Sequence, residues 1–522
     1  MLRWENTLMR VSMRLTTILL LIATGLMGLS LSTTNRVAAQ AAPTQYVLVG
    51  SGGSLPLNLE ALVASVGGGV VERLDEIGVA IVESSEPNFA GAAATISGLD
   101  GIEEDRVVPL ALPDQGDSTV VESLDTENAT WEGGALDALN SKPCTNPPSG
   151  DCNPGLAKFF WAQWDMRTIG APMAWSAGVR GDPRVKVAVI DTGIDYAQQE
   201  FQRVVNGKLV SIVDPVLSKS FFKEALPPGA PPYLDVTGHG THVAGIIAAE
   251  GVSVAGVAPG VTLLAIKVAG RSGFATYAAI IAAIKYAADV GADVINMSFG
   301  DVLARGGREN AQLMAALNRA VNYAHSKGAL LVASAGNSGT NWDNNKDLCP
   351  MNPPLDPPLT INRCMKVPAQ LPHVVAVSAT GPQFQLSFDS MGVIPNAAGL
   401  EQRYTDYGMT LVTFAAPGGS VTRFVDAATK MPLDRVLSAC ARFTPGVNCS
   451  SGRANIFMVG TSMAAAHVSG VAALIDSAAG GALTGDQIIQ ILKQSADHIG
   501  RPGKDAWYGF GRINAHRAVT GN

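Results

Sequence analysis

Val185-Lys186-Val187-Ala188-Val189-Ile190-Asp191-Thr192-Gly193 is a β-branched apolar run that ends in an acid and a tight turn. Such a run reads as a strand buried on both faces, the habit of parallel sheets covered by helices. Its acid then lies at the carboxyl end of the strand, the edge where open α/β sheets build their sites. Leu330-Leu331-Val332-Ala333-Ser334-Ala335-Gly336-Asn337 reads as a second buried strand, and it ends in a side-chain amide. Together they predict an α/β chain with a mainly parallel central sheet.

Two further segments supply reactive groups. Thr237 to Gly245, containing His239-Gly240-Thr241-His242, runs into Ile246-Ile247-Ala248-Ala249, so His239 is expected at a helix start. Gly460-Thr461-Ser462-Met463-Ala464 precedes an apolar stretch to Ile475, which places Ser462 at a helix N-terminus, where backbone N–H groups favour developing negative charge. A serine hydroxyl is a poor nucleophile at neutral pH. It needs an imidazole to take its proton and a carboxylate to hold that imidazole in the right tautomer. Asp191, His239 and Ser462 fit those roles, and Asn337 with the Ser462 N–H fits the oxyanion of a tetrahedral intermediate.

The order acid, base, nucleophile and the sequence around each resemble the subtilisin-like (subtilase) serine proteases, over most of residues 160–520. Gly291-Ala292-Asp293-Val294-Ile295-Asn296-Met297-Ser298-Phe299-Gly300 is similar to the family strand that lines the primary specificity pocket. Gly256 to Pro259, Val367-Pro368-Ala369, Ala415 to Gly418 and Gly509 to Ala515 match other family segments, the second where relatives carry a cis proline. The resemblance implies a three-layer fold and a serine endopeptidase acting through an acyl-enzyme on protein or peptide substrates. It implies that Ser298, Phe299 and Gly300 flank the residue before the scissile bond, and that Tyr277 lies by a pocket further along the substrate. Phe299, Ala333 and Gly336 are compatible with an apolar or aromatic side chain before the cut. Ala466 stands where the family has proline, a change of helix packing rather than chemistry. The family's calcium loop is shortened to Glu250–Ala255, with a carboxylate nearby at Glu200, so that calcium site does not carry over.

Competing chemistries fail on residue count and spacing. Asp-Thr-Gly also marks aspartic proteases, but these need two such carboxylates and no second copy exists. His239 and His242 stand three apart with Gly and Thr between, unlike the H-E-x-x-H of a zinc protease. The expectation is therefore no required cofactor, with a structural calcium left open and no metal site assigned. Two other readings stay open: a dedicated maturation protease that cuts one partner precursor, and a non-catalytic binding protein on the same fold.

The 522 residues are 47% hydrophobic and 16% charged, enough for a large core. A net charge of −7 argues against nucleic acid. Arg3, Arg10 and Arg14, an apolar run from Leu15 to Leu31 and Ala38-Ala39-Gln40-Ala41 have the form of a signal peptide over 1–41. The product is expected outside the cell or in the periplasm, without stable membrane insertion once the signal is removed. Six cysteines fall as the neighbouring pairs Cys144/Cys152, Cys349/Cys364 and Cys440/Cys449, for which sequential disulfides are the simplest connectivity in an oxidising compartment.

Residues 42–110 read as β-α-β-β-α-β, a small α+β ferredoxin-like domain: strands at Gln45–Val49, Gly69–Arg73, Val79–Glu83 and Val107–Leu110, helices at Asn58–Ser65 and Phe89–Ile96. Its position resembles the inhibitory propeptide of subtilases, so the chain's own propeptide is an expected partner. Residues 111–157, rich in Pro, Gly, Asp and Asn, read as a linker holding the processing site and the sequon at Asn128, and 158–522 as the protease domain. Asp301–Asn310, Gly339–Lys366, Pro382–Asp406 and Val421–Arg453 read as surface insertions. In the second, Asp343, Asn344, Asn345 and Asp347 offer oxygens that suit calcium, but their spacing matches no defined calcium loop, and the segment reads as solvated.

Overall fold

A computed structural model of the chain describes residues 42–110, 120–121, 154–305, 310–344, 346–349, 358–384, 395–401, 404–421 and 431–521. The described residues from Thr44 onward form one packed unit. The expected signal peptide, the Cys144/Cys152 pair and Asn128 lie outside the described residues.

The Val185 run forms strand β6 (Lys186–Asp191), central to the main sheet. The sheet order is β7 (Lys219–Ser220), β8 (Thr262–Lys267), β6, β10 (Val294–Met297), β12 (Leu330–Ser334) and β14 (Val374–Phe384), all parallel. Beyond them β14 also pairs in parallel with β16 (Phe414–Pro417) and antiparallel with β15 (Pro395–Glu401). Alternate residues of β6 explain its uniform hydrophobicity. Val187 and Val189 enter the apolar layer shared with helices α3 (His239–Ala248) and α6 (Thr461–Ala478). Ala188 and Ile190 enter the opposite layer, with α4 (Tyr277–Asp289) and α5 (Ala311–Ser326). Every one of these four side chains is fully buried, so both faces of the strand are removed from water and its four central positions are apolar, with Lys186 and Asp191 only at the ends. Helix, sheet, helix is the expected three-layer arrangement.

Disulfides join Cys349 to Cys364 and Cys440 to Cys449, as sequential pairing predicted. The Val367–Pro368 bond is cis. The segment Asp301–Asn310, read as an insertion, contributes strand β11 (Asp301–Ala304), which pairs antiparallel with β13 (Cys364–Val367).

The N-terminal unit has strands β1 (Thr44–Gly50), β2 (Gly68–Leu74), β3 (Val79–Ser84) and β4 (Leu99–Glu104), with helices α1 (Leu59–Ser65) and α2 (Phe89–Ala93). Its antiparallel order β2-β3-β1-β4 is ferredoxin-like. One expectation is corrected. The fourth strand is not Val107–Leu110 but Leu99-Asp100-Gly101-Ile102-Glu103-Glu104, whose acids and glycine hide its β-character. The apolar Val107–Pro109 forms β5, which leaves the small sheet and pairs antiparallel with β9 (Phe274–Thr276) of the large unit.

Charge secures this junction. The Glu103 carboxylate accepts from the backbone N–H groups of Asn310, Gln312 and Leu313, the free donors at the start of α5. Asp105 Oδ1 accepts from Ala278 N (3.1 Å) at the start of α4, while Tyr277 N donates to the Arg106 carbonyl (3.0 Å). Two carboxylates thus sit on two helix N-termini, each satisfying orphan donors and opposing the positive end of a dipole. Burial holds the Asp105 carboxyl up at about 6. Removing one such cap costs about 1 kcal/mol or more. Glu103→Ala should therefore speed amide exchange in Leu99–Glu104 severalfold in the intact chain and leave Lys186–Asp191 unchanged; equal rates in the strand would show that the carboxylate does not anchor it.

Candidate active site

The carboxyl ends of β6, β10 and β12, three adjacent parallel strands, deliver Asp191-Thr192, Ser298-Phe299-Gly300 and Gly336-Asn337 to one edge of the sheet. Helix α3 begins at His239, and α6 presents Ser462 in its first turn.

Asp191 and His239 are brought together. Asp191 Oδ1 lies 2.8 Å from His239 Nδ1 and also accepts from Thr192 N at 2.7 Å. A carboxylate only accepts, so Nδ1 carries the proton and Nε2 keeps its lone pair. Both side chains are buried, and among the described residues His239 Nε2 has no hydrogen-bond partner. Burial opposes charging of His239, but the charge and hydrogen bond of Asp191, helped by Asp235, outweigh it and raise the imidazole above its ordinary value.

Asp235, which sequence reasoning missed, organises the start of α3. Its Oδ1 accepts from Thr192 Oγ1 (3.0 Å), Thr237 N (2.9 Å), Thr237 Oγ1 (2.9 Å) and Gly238 N (3.0 Å), and its Oδ2 from Thr241 N (3.0 Å) and Oγ1 (2.7 Å). Thr192 Oγ1 in turn accepts from Gly240 N at 2.9 Å. The helix can come this close to the acid turn only with glycine at 240, because a Cβ there would stand 2.2 Å from the Gly193 carbonyl oxygen. Lys267 was missed as well. It is wholly buried at the end of β8, donates to the Leu234 carbonyl (3.0 Å) and to that of Thr192, and pairs with Glu224 (2.8 Å).

On the other side, Ser462 Oγ donates to the Ser298 carbonyl (3.0 Å), and Ser298 Oγ returns a bond to the Ser462 carbonyl (3.0 Å). The hydroxyl is therefore turned onto β10's outgoing chain, and its bond to the imidazole is not made in this state. Asn296 Nδ2 donates to Ser298 Oγ (2.9 Å), and Asn296 Oδ1 accepts from Ser469 Oγ (2.9 Å). The Asn337 amide has a defined orientation: Oδ1 accepts from Thr461 N (3.0 Å) and Thr461 Oγ1 (2.8 Å), so the NH₂ faces away from α6's first residue. Thr461, flanking the serine, is the residue that aims it.

The substrate-binding set is placed as follows. Tyr277 is buried at the start of α4 with its hydroxyl on Asp301 Oδ2 (2.9 Å). Phe299 shares its apolar layer, along with Val108 and Leu110 of the N-terminal unit. Ala333 lies mid-strand and fully buried, paired with Met297 and Ala376, beneath the edge rather than on it. Gly300 and Gly336 both back onto Lys366, a residue the sequence did not single out.

His242, three residues after His239, faces the other way. Its Nε2 lies near the carbonyls of Val436 (3.2 Å) and Ile456 (3.0 Å), and burial depresses its pKa to about 3, so it stays neutral. Another buried pair, His467 with Asp165 (3.0 Å), ties α6 to the Trp164–Thr168 helix.

Among the described residues, the oxygens considered for calcium are already engaged. Glu200 accepts from the N–H groups of Val252 (3.0 Å) and Ser253 (2.6 Å), donors that repel a cation, and burial lifts it to about 7. Asp343 is spent on Thr410 N (3.0 Å) and Oγ1 (2.8 Å), and Asn344 bonds to Asp347 (2.9 Å). Asn345 lies outside the described residues. Among the described residues, His325, His373 and Asp486 come within ligand distance of one another. The two rings are stacked at 3.7 Å, however, so their in-plane lone pairs run side by side rather than converging.

Comparison with known proteins places this geometry in context. Residues 182–511 match the model of the subtilase family, described as Peptidase_S8. Subtilisin DY of Bacillus licheniformis is 33% identical over 354 residues, 67% of this chain and 96% of that one. A thermophilic serine proteinase of Bacillus sp. (strain AK1) is 31% identical over 361 residues, 69% of this chain and 67% of that one. In fold, the chain is similar to the epidermin leader peptide processing serine protease of Staphylococcus aureus, with a TM-score of 0.66 and 22% identity, covering 92% of this chain and 99% of that one.

Proposed function

For a chain that belongs to the subtilase family and is a subtilisin-like serine endopeptidase acting on protein or peptide substrates, we propose that Asp191, His239 and Ser462 form the catalytic triad, with Asn337 and the Ser462 N–H as oxyanion donors. The observation that carries this reading is the buried Asp191–His239 hydrogen bond, which leaves Nε2 as a free lone pair. Rotation of Ser462 about χ1 releases the Ser298 carbonyl and offers the hydroxyl to that lone pair. His239 then takes the Ser462 proton as Oγ bonds to the peptide carbonyl carbon. The carbonyl π electrons move to oxygen, where Asn337 Nδ2 and the Ser462 N–H donate to the new charge. The imidazolium, stabilised by Asp191, returns the proton to the departing amine as the C–N bond breaks. Water attacks the resulting ester by the same route, and the second product leaves as an acid.

We further propose that the enzyme is made as a secreted zymogen. The 1–41 segment supports export. Residues 42–110 act as an intramolecular inhibitor; the pairing of Val107–Pro109 with Phe274–Thr276, immediately before Tyr277, supports this by laying the unit's exit strand along the large unit. Processing falls in 111–157.

Ser462→Ala should abolish hydrolysis and self-processing while leaving the melting temperature unchanged, read by intact mass and a fluorophosphonate probe; retained turnover in the purified variant would refute the assignment. Asn337→Ala should lower kcat by about 10²–10³-fold, the range that subtilisin itself defines for such a donor, with KM little altered; a loss confined to KM would contradict it. The base must be neutral to act, and its pKa in the fold is raised. Activity is thus present above that raised value and lost as pH falls through it, so the acid limb of kcat/KM should have its midpoint above the ordinary 6.5. A midpoint near 4 would assign the limb to a carboxylate.

A further inference from the structure

Gly300 and Gly336, placed by the family resemblance beside the residue that precedes the scissile bond, have no side chains, and the group filling the space behind both is Lys366. A Cβ built on Gly300 would lie 3.1 Å from the Val367 carbonyl oxygen and 3.4 Å from Lys366 Cε, and one built on Gly336 would meet Asp406 Oδ2 first and then Lys366 Nζ at 2.5 Å. Gly336 also has φ of +116°, a conformation that excludes most other residues. Lys366 reaches this position because β13 pairs with β11 directly after Gly300, with Val302 opposite Lys366. It is 6% exposed.

Its partner is Asp406, which is fully buried, with Oδ2 at 3.3 Å from Nζ. The valences of the pair are unequal. Asp406 Oδ1 already accepts from Ser338 N (3.0 Å) and Thr340 N (3.0 Å), and the Asp406 N–H donates to the Gly336 carbonyl (2.8 Å). That carboxylate is committed to holding the chain that leaves Asn337. The ammonium carries three donors, and among the described residues Asp406 is its one charged partner. Asp406 Oδ2 has no hydrogen-bond partner among the described residues and is paired with Nζ alone, which leaves two ammonium donors unspent on Lys366, the member lying against both glycines.

We propose that Lys366 makes this enzyme selective for a glutamate side chain at the residue preceding the scissile bond. This rests on the triad reading of the same site, and it replaces the apolar preference that Phe299, Ala333 and Gly336 suggested. An apolar side chain would cover the ammonium without returning a hydrogen bond, and a cationic one would meet like charge. A carboxylate reaching between Gly300 and Gly336 accepts a charge-assisted bond from Nζ, while Asp406 keeps the lysine in place.

The test uses the full chain after self-processing, with active sites counted by fluorophosphonate and kcat/KM measured on peptides that differ only at that residue: Glu, Gln, Phe or Arg. The expected result is Glu over Gln by about tenfold or more, the scale of one charged hydrogen bond, with Phe and Arg lower still. Lys366→Arg should keep the order. Lys366→Met combined with Asp406→Asn, which avoids a lone buried carboxylate, should bring the Glu to Gln ratio close to one. A labelled wild type that prefers Phe or Arg, or a ratio that survives the double change, overturns the inference and leaves the triad standing. A chain that neither labels nor cleaves any peptide overturns the triad reading and takes this inference with it. The wild-type ratio alone decides if the double variant does not fold.

Discussion

The Asp191–His239 hydrogen bond buries a carboxylate beside an imidazole while Asp191 Oδ2 and His239 Nε2 have no hydrogen-bond partner among the described residues, so the groups around the pair must hold it in place. Burial alone would push the imidazole toward a weak base. Asp191 reverses the direction, and Asp235 adds to it. The cost of holding Asp191 out of water is shared with the Thr192 N–H, and the turn that provides it is fixed through Asp235, Gly240 and Lys267. These residues touch no substrate on this reading. Their work is to fix the base relative to the strand end, so that reorganisation is not needed when charge moves.

The second half of the site is positioned by an independent set of bonds. Thr461 orients the Asn337 amide, while Ser298, Asn296 and Ser469 run from β10 into α6. The two sets meet because β6, β10 and β12 are neighbours in one parallel sheet and end at the same edge. Sheet order is thus the device that converts segments more than a hundred residues apart into one site.

The same economy governs the N-terminal unit. Glu103 and Asp105 satisfy the first turns of α5 and α4, donors that any folded body must satisfy somehow. Attachment then combines these charged hydrogen bonds with an apolar layer to which Val47, Val49, Leu74, Ile77, Val79 and Ile81 contribute as well as Val108 and Leu110. Such an interface can be firm while the chain is continuous and still be released after a cut, because effective concentration is lost with the connection.

The three-layer class came with the family resemblance, while the sequence by itself determined the central strands and two of the disulfides and named the four candidate site residues. Each is written in local terms: an uninterrupted apolar run, a glycine-flanked histidine at a helix start, a serine after a glycine turn, cysteines close along the chain. Strand β4 was illegible because its acidic residues serve another helix rather than their own sheet, and Val107–Pro109 misled because an apolar run does not say which sheet it joins. Only the tertiary structure decided that Lys366 and Asp406 stand behind Gly300 and Gly336, that Asp235 caps the helix of His239, and that Glu200 faces N–H donors. These are contacts between segments with no shared pattern, and burial, distance and hydrogen-bond direction come into being only when the sheet order brings the segments together.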